Sequence, residues 1–437
     1  MAHRIAAASR LSDPPACVLL DEFASVGIRR NATTAKSWTS AGHAFEVTFA
    51  LVDPPGLSPW FIHYPGLKNS GLVGRPQILN ATGSLVVMHL VFHRDGCLLV
   101  DYFVYRAGPG TPSLRLIPGP CPDVEFPHHV GVLPSGAAGE HYHVVFPVRR
   151  LKPRLAYEIH VFSSESQAWS AKAARVSDDP ETRGRHMLLH EPSKAIATGG
   201  SSLAWVDLWQ GVVLCNVLDE DPVLRMIRWP VPPSVGEHMV DGYLASSVRD
   251  ATLRDGVIRF VEVDFGDDAM DMDTFEVDFD RRHRAMDRCW KATVWKRDTG
   301  SKDWDRCLTA DIAKIVDTTR SGSGCSHLLR MVWDDASDKL DIGKVSWAAP
   351  VLSLSNEDVV YFVAGIVSRN HVLVFAINVR EERLEELRQN TVGNHYSAWS
   401  FSSFLDTNPD AGAEATGGWV LDAFPTQNCS IEYKESF

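Results

Sequence analysis

Paired histidines are the first residues in this chain whose spacing could do chemistry. His141 and His143 stand two apart in the run His141-Tyr-His-Val-Val-Phe146. In an extended strand, residues two apart point to the same face. Two imidazoles on one face make half of a zinc site, and His128, His129 and Asp123 lie upstream as further donors. A polar strand edge accounts for the same pair and the ligand set is incomplete, so the expectation is no bound metal, with His141 and His143 as the candidates if one binds. His186 and His190 have helical spacing and Glu191 follows, but Met187 stands where a metalloprotease helix carries its glutamate. The acidic run from Asp267 to Glu276 invites a calcium reading. Taking Asp271 and Asp273 as the first two ligands puts Phe275 on the third and Glu276 where the loop requires glycine.

Nucleophile motifs fail in a similar way. Gly199-Gly200-Ser201-Ser202 leads into a strand, whereas a hydrolase elbow leads into a helix. Cys325 and His327 are close in sequence, but a catalytic thiol and its base normally meet from distant segments. No glycine-rich phosphate loop is present. The expectation is no catalytic residue and no cofactor. Trp169, Trp229, Trp295 and Trp304 could stack on sugars, but their recurrence at equivalent places fits core packing better.

The elements that would carry these residues are strands. One pattern recurs: a β-branched and aromatic run, a connection, then a second run that crosses a polar turn into another strand. Leu85 to Leu90 with Asp101 to Arg106 is one instance; Val257 to Val263 with Lys291 to Trp295 is another. Units of this kind lie near 16–65, 85–118, 141–176, 199–230, 256–309 and 350–388. The chain therefore reads as all-β, a β-propeller-like array of about five to six antiparallel blades with long inserted loops. The domain spans 16–425, between a flexible N-terminal segment (1–15) and a C-terminal tail (426–437). Glu381 to Gln389 fits a strand after a turn better than a short helix. Residues 264–280 and 310–345 interrupt the pattern, the first as a solvated acidic loop. Ring closure would place the first and last strand-like runs in one sheet, with Phe45 to Phe49 pairing near Trp419 to Leu421.

Composition agrees with this architecture. At 437 residues, 45% hydrophobic and 22% charged, the chain is globular. It is also longer than one core can serve, because single cores stop growing at roughly 250–300 residues. The net charge is −12, and the one dense basic stretch, Arg281 to Arg288, directly follows the acidic run. A nucleic-acid binder needs a basic face, so nucleic acid is not expected as a partner. No stretch approaches the ~18 apolar residues of a membrane span. Eight cysteines without a Cys-x-x-Cys pair read as reduced thiols in a cytosolic or nuclear protein. Sequons occur at Asn31, Asn80 and Asn428.

The run Ser202-Leu-Ala-Trp-Val-Asp-Leu-Trp-Gln-Gly-Val-Val-Leu-Cys-Asn-Val-Leu-Asp-Glu-Asp-Pro-Val-Leu-Arg225 resembles the plant family called domain of unknown function 1618, which is expanded in grasses. Asp101 to Arg106, His160 to Glu165, Trp290 to Trp295, Arg29 to Thr34 and Asp53-Pro-Pro support the same resemblance. The family contributes no site residues to carry over. More loosely, Leu203 to Pro230 is similar to the F-box-associated propeller domains of plants, although no F-box-like helical segment precedes the repeats. The function expected is a non-enzymatic protein-interaction module with an unidentified protein partner. A substrate-recognition subunit of a ubiquitin ligase and a propeller hydrolase acting on sugars or esters are the alternatives. The sequence leaves the oligomeric state open.

Overall fold

Alternation of apolar residues along paired strands sets the architecture. A computed structural model describes residues 17–65, 72–94, 97–108, 111–119, 127, 129–136, 139–150, 156–231, 245–264, 290–319, 326–334, 339–341, 344–366, 371–391 and 396–401. The first six strands are β1 (Cys17–Asp21), β2 (Ser25–Val26), β3 (Ala35–Trp38), β4 (Ala44–Phe49), β5 (Leu57–Ser58) and β6 (Trp60–His63). Four-stranded antiparallel meanders follow. The first holds β7 (Gln77–Gly83), β8 (Leu85–Arg94), β9 (Cys97–Arg106) and β10 (Ser113–Ile117). The second holds β11 (Gly131–Ser135), β12 (His141–Arg150), β13 (Ala156–Ser163) and β14 (Ala168–Val176). The third is β15 (Lys194–Gly199), β16 (Ser202–Asp207), β17 (Gly211–Asn216) and β18 (Val223–Arg228). The fourth is β19 (Arg249–Arg254), β20 (Val257–Asp264), β21 (Lys291–Asp298) and β22 (Asp305–Asp311).

A helix over Ile312–Thr319, another over Ser326–Leu329 and the short pair β23 (Trp333–Asp334) and β24 (Lys339–Leu340) then intervene. The fifth meander is β25 (Val345–Leu352), β26 (Val359–Ile366), β27 (His371–Asn378) and β28 (Arg383–Thr391), and β29 (Tyr396–Phe401) ends the described chain. Glu381 to Gln389 thus turns into a strand, as its place after a turn implied. The segment 310–345 contributes Ile312, Ile315, Val316 and Trp333 to the core between the fourth and fifth meanders.

The first strand of each meander lies innermost. β7, β11, β15, β19 and β25 adjoin one another in order, β29 follows β25, and β29 pairs in parallel with β7 through Ser400 and Thr82. These contacts close a ring. The sixth unit draws on both ends of the described chain: β1 pairs antiparallel with β29 from Cys17↔Ser400 to Asp21↔Tyr396. β1 runs parallel to β5 in the sheet that holds β29, while β2 runs parallel to β6 in a separate sheet that β4 and β3 complete. One expectation is corrected. Phe45 to Phe49 pairs with β3 and β6 because its Phe45, Val47 and Phe49 face the first meander, while β1 takes the place beside the last strand. Trp419 to Leu421 lies outside the described residues.

Each junction between units has its own apolar cluster. Val18 and Leu20 of β1 face Met88 and Phe103 of the first meander, while Leu19 between them faces Tyr361 and Val374 of the fifth. Leu85 and Val87 pack toward the second meander. Val213 packs with Leu133 and Val145 on one side of its sheet, and Val212 with Phe260 on the other. Sheets buried on both faces require this alternation of apolar residues in both directions, which a propeller-like ring supplies without one large core. Trp60, Trp205 and Trp290 are fully buried at three of these junctions. Truncating such a residue to alanine costs about 3–5 kcal/mol.

The innermost strands also make polar contacts across the units. Asn80, on β7 and fully buried, donates its Nδ2 to Val130 O at 2.6 Å and to Ala195 O at 2.9 Å. The sequon at Asn80 is therefore closed to solvent. Among the described residues no helix is long and apolar enough to cross a membrane.

Candidate binding cleft

Tight turns on one edge of the ring leave an opening between the third and fourth meanders. Arg254 and Val257 are paired ends of a hairpin whose loop is Asp255-Gly256, with φ of 51° and 78°. Positive φ at both loop residues is the turn that matches strand twist, and Asp-Gly supplies it at least cost. The next hairpin on that edge turns through Thr299 and Gly300, with Ser301 N bonded to Asp298 O at 2.9 Å and Thr299 N to Gly256 O at 2.8 Å. In the third meander, Gly199 and Gly200 turn the chain into Ser202. The opening measures about 450 Å³.

Its walls are apolar below and polar above. Leu214 and Leu253 belong to the cluster between the two meanders and form the floor. Thr198, Ser202, Thr299, Ser177 and Asn216 bring hydroxyl and amide groups to the rim. Arg225 stands opposite Leu214 in the β17–β18 pair, on the side of the strand where Ile227 meets the fourth meander. Its Nη2 donates to Thr299 O at 2.7 Å, which holds the guanidinium across the opening.

The lining can bind but has little means to react. Cys215 borders the opening through its strand, but its side chain packs with Leu133 and Val145 on the opposite face of the sheet, where burial, followed by the nearby Asp219 charge, pushes the thiol up to about 12. A thiol with that pKa stays protonated at neutral pH, and the thiolate is the reactive form. None of the described residues lining the cleft is a histidine, aspartate or glutamate that could act as its base.

The residues singled out in the sequence lie elsewhere. His141 and His143 share β12 in the second meander, paired with Ser135 and Leu133. Burial holds His143 below the usual imidazole range. Among the described residues, no three His, Cys, Asp or Glu side chains gather there or anywhere else as a metal site would need. His190 is buried, with Nε2 3.2 Å from Trp205 O, while His186 meets the Gln210 side chain, so the two rings do not share a ligand. Burial lowers His190 to about 4. His128, Asp123, Cys325, the His327 side chain, the acidic run 267–276 and the basic run 281–288 lie outside what the structure describes.

The tryptophans are packing residues with a second task. Trp169 donates its indole N–H to Pro118 O at 2.7 Å, and Trp304 to Arg228 O at 3.0 Å. Each ties the outer strand of one meander to the end of the preceding one. Trp229 stacks on Phe260 with centroids 4.4 Å apart. Beside them, Arg297 is buried and doubly bonded to Glu181 at 2.8 Å for each contact.

Sequence reasoning passed over the cleft because its residues come from separate turns. The one local signal was Asp255-Gly256 between apolar strand residues, a hairpin marker in its own right. No curated protein matches the chain. The family model described as protein of unknown function (DUF1618) matches the stretch from residue 205 on β16 to residue 361 on β26, which supplies Arg225, Cys215, Leu253, Gly256 and Thr299 to the cleft.

Proposed function

We propose that the chain is a non-enzymatic protein-interaction module of the cytosol or nucleus, with the cleft between the third and fourth meanders as its contact site. The observation behind this reading is the cleft's lining: hydroxyls, an amide and a guanidinium at the rim over a leucine floor. Mostly apolar pockets with a few placed polar groups are the usual form of a recognition site. A rigid ring carrying variable turns is also the usual scaffold for such sites.

The test uses the full chain, tagged and recovered from extracts of its source cells, beside variants Ser202→Trp and Thr299→Trp that fill the opening. Ser202 opens β16 and Thr299 sits in a turn, and both are only half-buried, so the fold should tolerate the changes. Proteins retained by the parent and lost from both variants are the expected result. An identical set of retained proteins for all three would remove the cleft from the reading. Turnover of a model ester or glycoside by the parent, abolished in both variants, would replace the reading with an enzymatic one.

A further inference from the structure

We infer that the cleft between the third and fourth meanders seats an oxyanion, a carboxylate or a phosphate monoester, against the guanidinium of Arg225. The inference relies on the proposed interaction role only for the source of the anion, a partner's acidic or phosphorylated side chain.

Several arginines are held by carboxylates. Arg249 pairs with Glu262, Arg297 with Glu181, Arg175 with Asp221 and Arg30 with Glu46. Arg225 has no carboxylate partner among the described residues; its one bond is to Thr299 O. A guanidinium carries five N–H donors in a planar fork that matches carboxylate and phosphate oxygens. Nη2 is the one donor of that fork bonded to another described residue, and Arg225 lines the cleft.

Several acidic groups of the adjoining turns are engaged elsewhere. Asp221 is held by Arg175, Asp255 by Arg254 at 3.4 Å, and Asp298 Oδ1 accepts from Gly300 N at 2.7 Å. Asp219 lies close enough to act on the Cys215 thiol, and Lys172 Nζ bonds to its carbonyl at 2.7 Å, offsetting its charge.

Further donors line the same opening. The hydroxyls of Thr198, Ser202 and Thr299 and the amide of Asn216 make no hydrogen bond to another described residue, although all line the cleft. Hydroxyl and amide donors around an arginine form a set that would take the place of water around an oxyanion. At about 450 Å³ the cavity accepts a side chain with a phosphate or a short aromatic acid.

The experiment measures binding of three small probes to the full-length protein by ligand-observed NMR at constant ionic strength: phenyl phosphate, benzoate and the neutral isostere benzamide. Wild type should bind phenyl phosphate and benzoate, with benzamide weaker by about tenfold, the difference made by a charge-assisted hydrogen bond. Arg225→Gln should reduce anion binding to the benzamide level, while Arg225→Lys keeps part of it. Phenyl phosphate exceeding benzoate would identify a phosphorylated source, and the reverse order a carboxylate; either supports the seat. Equal binding of benzamide and benzoate, unchanged anion binding in a folded Arg225→Gln protein, or no probe bound by wild type would overturn it. Loss of protein partners in the Ser202→Trp variant is read separately. Partner capture that fails while the probes bind discards the interaction role and leaves the oxyanion seat standing.

Discussion

Lys194 Nζ lies on Asp250 Oδ1 and joins the innermost strands of the third and fourth meanders. The other carboxylate oxygen of Asp250 accepts Leu352 N of the fifth at 2.8 Å. One largely buried aspartate thus ties three consecutive units at the inside of the ring. Asp250→Ala should cost about 3–5 kcal/mol in denaturant unfolding, because it leaves a part-buried ammonium and a buried amide without partners. Asp250→Asn keeps an acceptor for Leu352 N and should fall between the two. Equal losses for both variants would show that the ion pair, and not the amide contact, carries the effect.

Asp21, at the end of β1, gives the protein a pH dependence of unusual sign. Burial raises its carboxyl from 3.8 to about 6, against the opposing pull of the Phe23 N–H and Arg75. The folded state therefore holds a proton that the unfolded state has released between those values, and stability falls as pH rises from about 4 to about 6. The contribution is about 3 kcal/mol, gone in full above the folded value. Asp21→Asn keeps the acceptor for Phe23 N. It should be more stable than the parent at pH 7 and equal to it near pH 4 in urea unfolding. A stability difference that does not change with pH would refute this account.

Deleting residues 1–65 should destabilise the whole ring. The deletion removes β1 from beside β29 and uncovers Met88 and Phe103 on one side and Tyr361 and Val374 on the other. Exposed strand edges and apolar faces of this kind aggregate. The expected product of expressing residues 66–437 is insoluble or melts without cooperativity. A soluble monomer melting within about 2 °C of the full chain would contradict the closure.

Cys215 should resist alkylation in the native protein. Iodoacetamide at pH 7.5 modifies thiolates, and burial holds this thiol at about 12. Peptide mapping should show Cys215 modified only after unfolding, with the exposed Cys307 labelled before it. Rapid native labelling of Cys215 would contradict its burial between the second and third meanders.

The middle strands of the meanders were plain in the sequence. Runs such as Val359 to Ile366 and His371 to Asn378 are buried along nearly their whole length and read as strands from their β-branched and aromatic content. The innermost strands were not legible in the same way. Gln77–Gly83, Gly131–Ser135, Lys194–Gly199 and Arg249–Arg254 are short and carry small or polar residues. They crowd together around one axis, where Asn80, Lys194 and Asp250 exchange hydrogen bonds between units. A search for apolar runs passes over such strands. Ring closure was visible as a requirement, but not as the pairing of β1 with β29. The cleft was hidden more fully, because Thr198, Arg225, Gly256 and Thr299 meet only once two meanders are docked.

The pairing of Cys17–Asp21 with Tyr396–Phe401 also sets a schedule for biosynthesis. The N-terminal strand emerges from the ribosome first, but its partner is made only after all five meanders. At roughly 5–20 residues per second, that delay is about 20–80 s. Throughout it, Val18, Leu20, Phe45 and Trp60 can bury only against the first meander, while Leu19 and Leu57 wait for the fifth. The nascent chain therefore presents a half-covered sheet to whatever chaperones attend it, and the ring can close only after synthesis of its final strand.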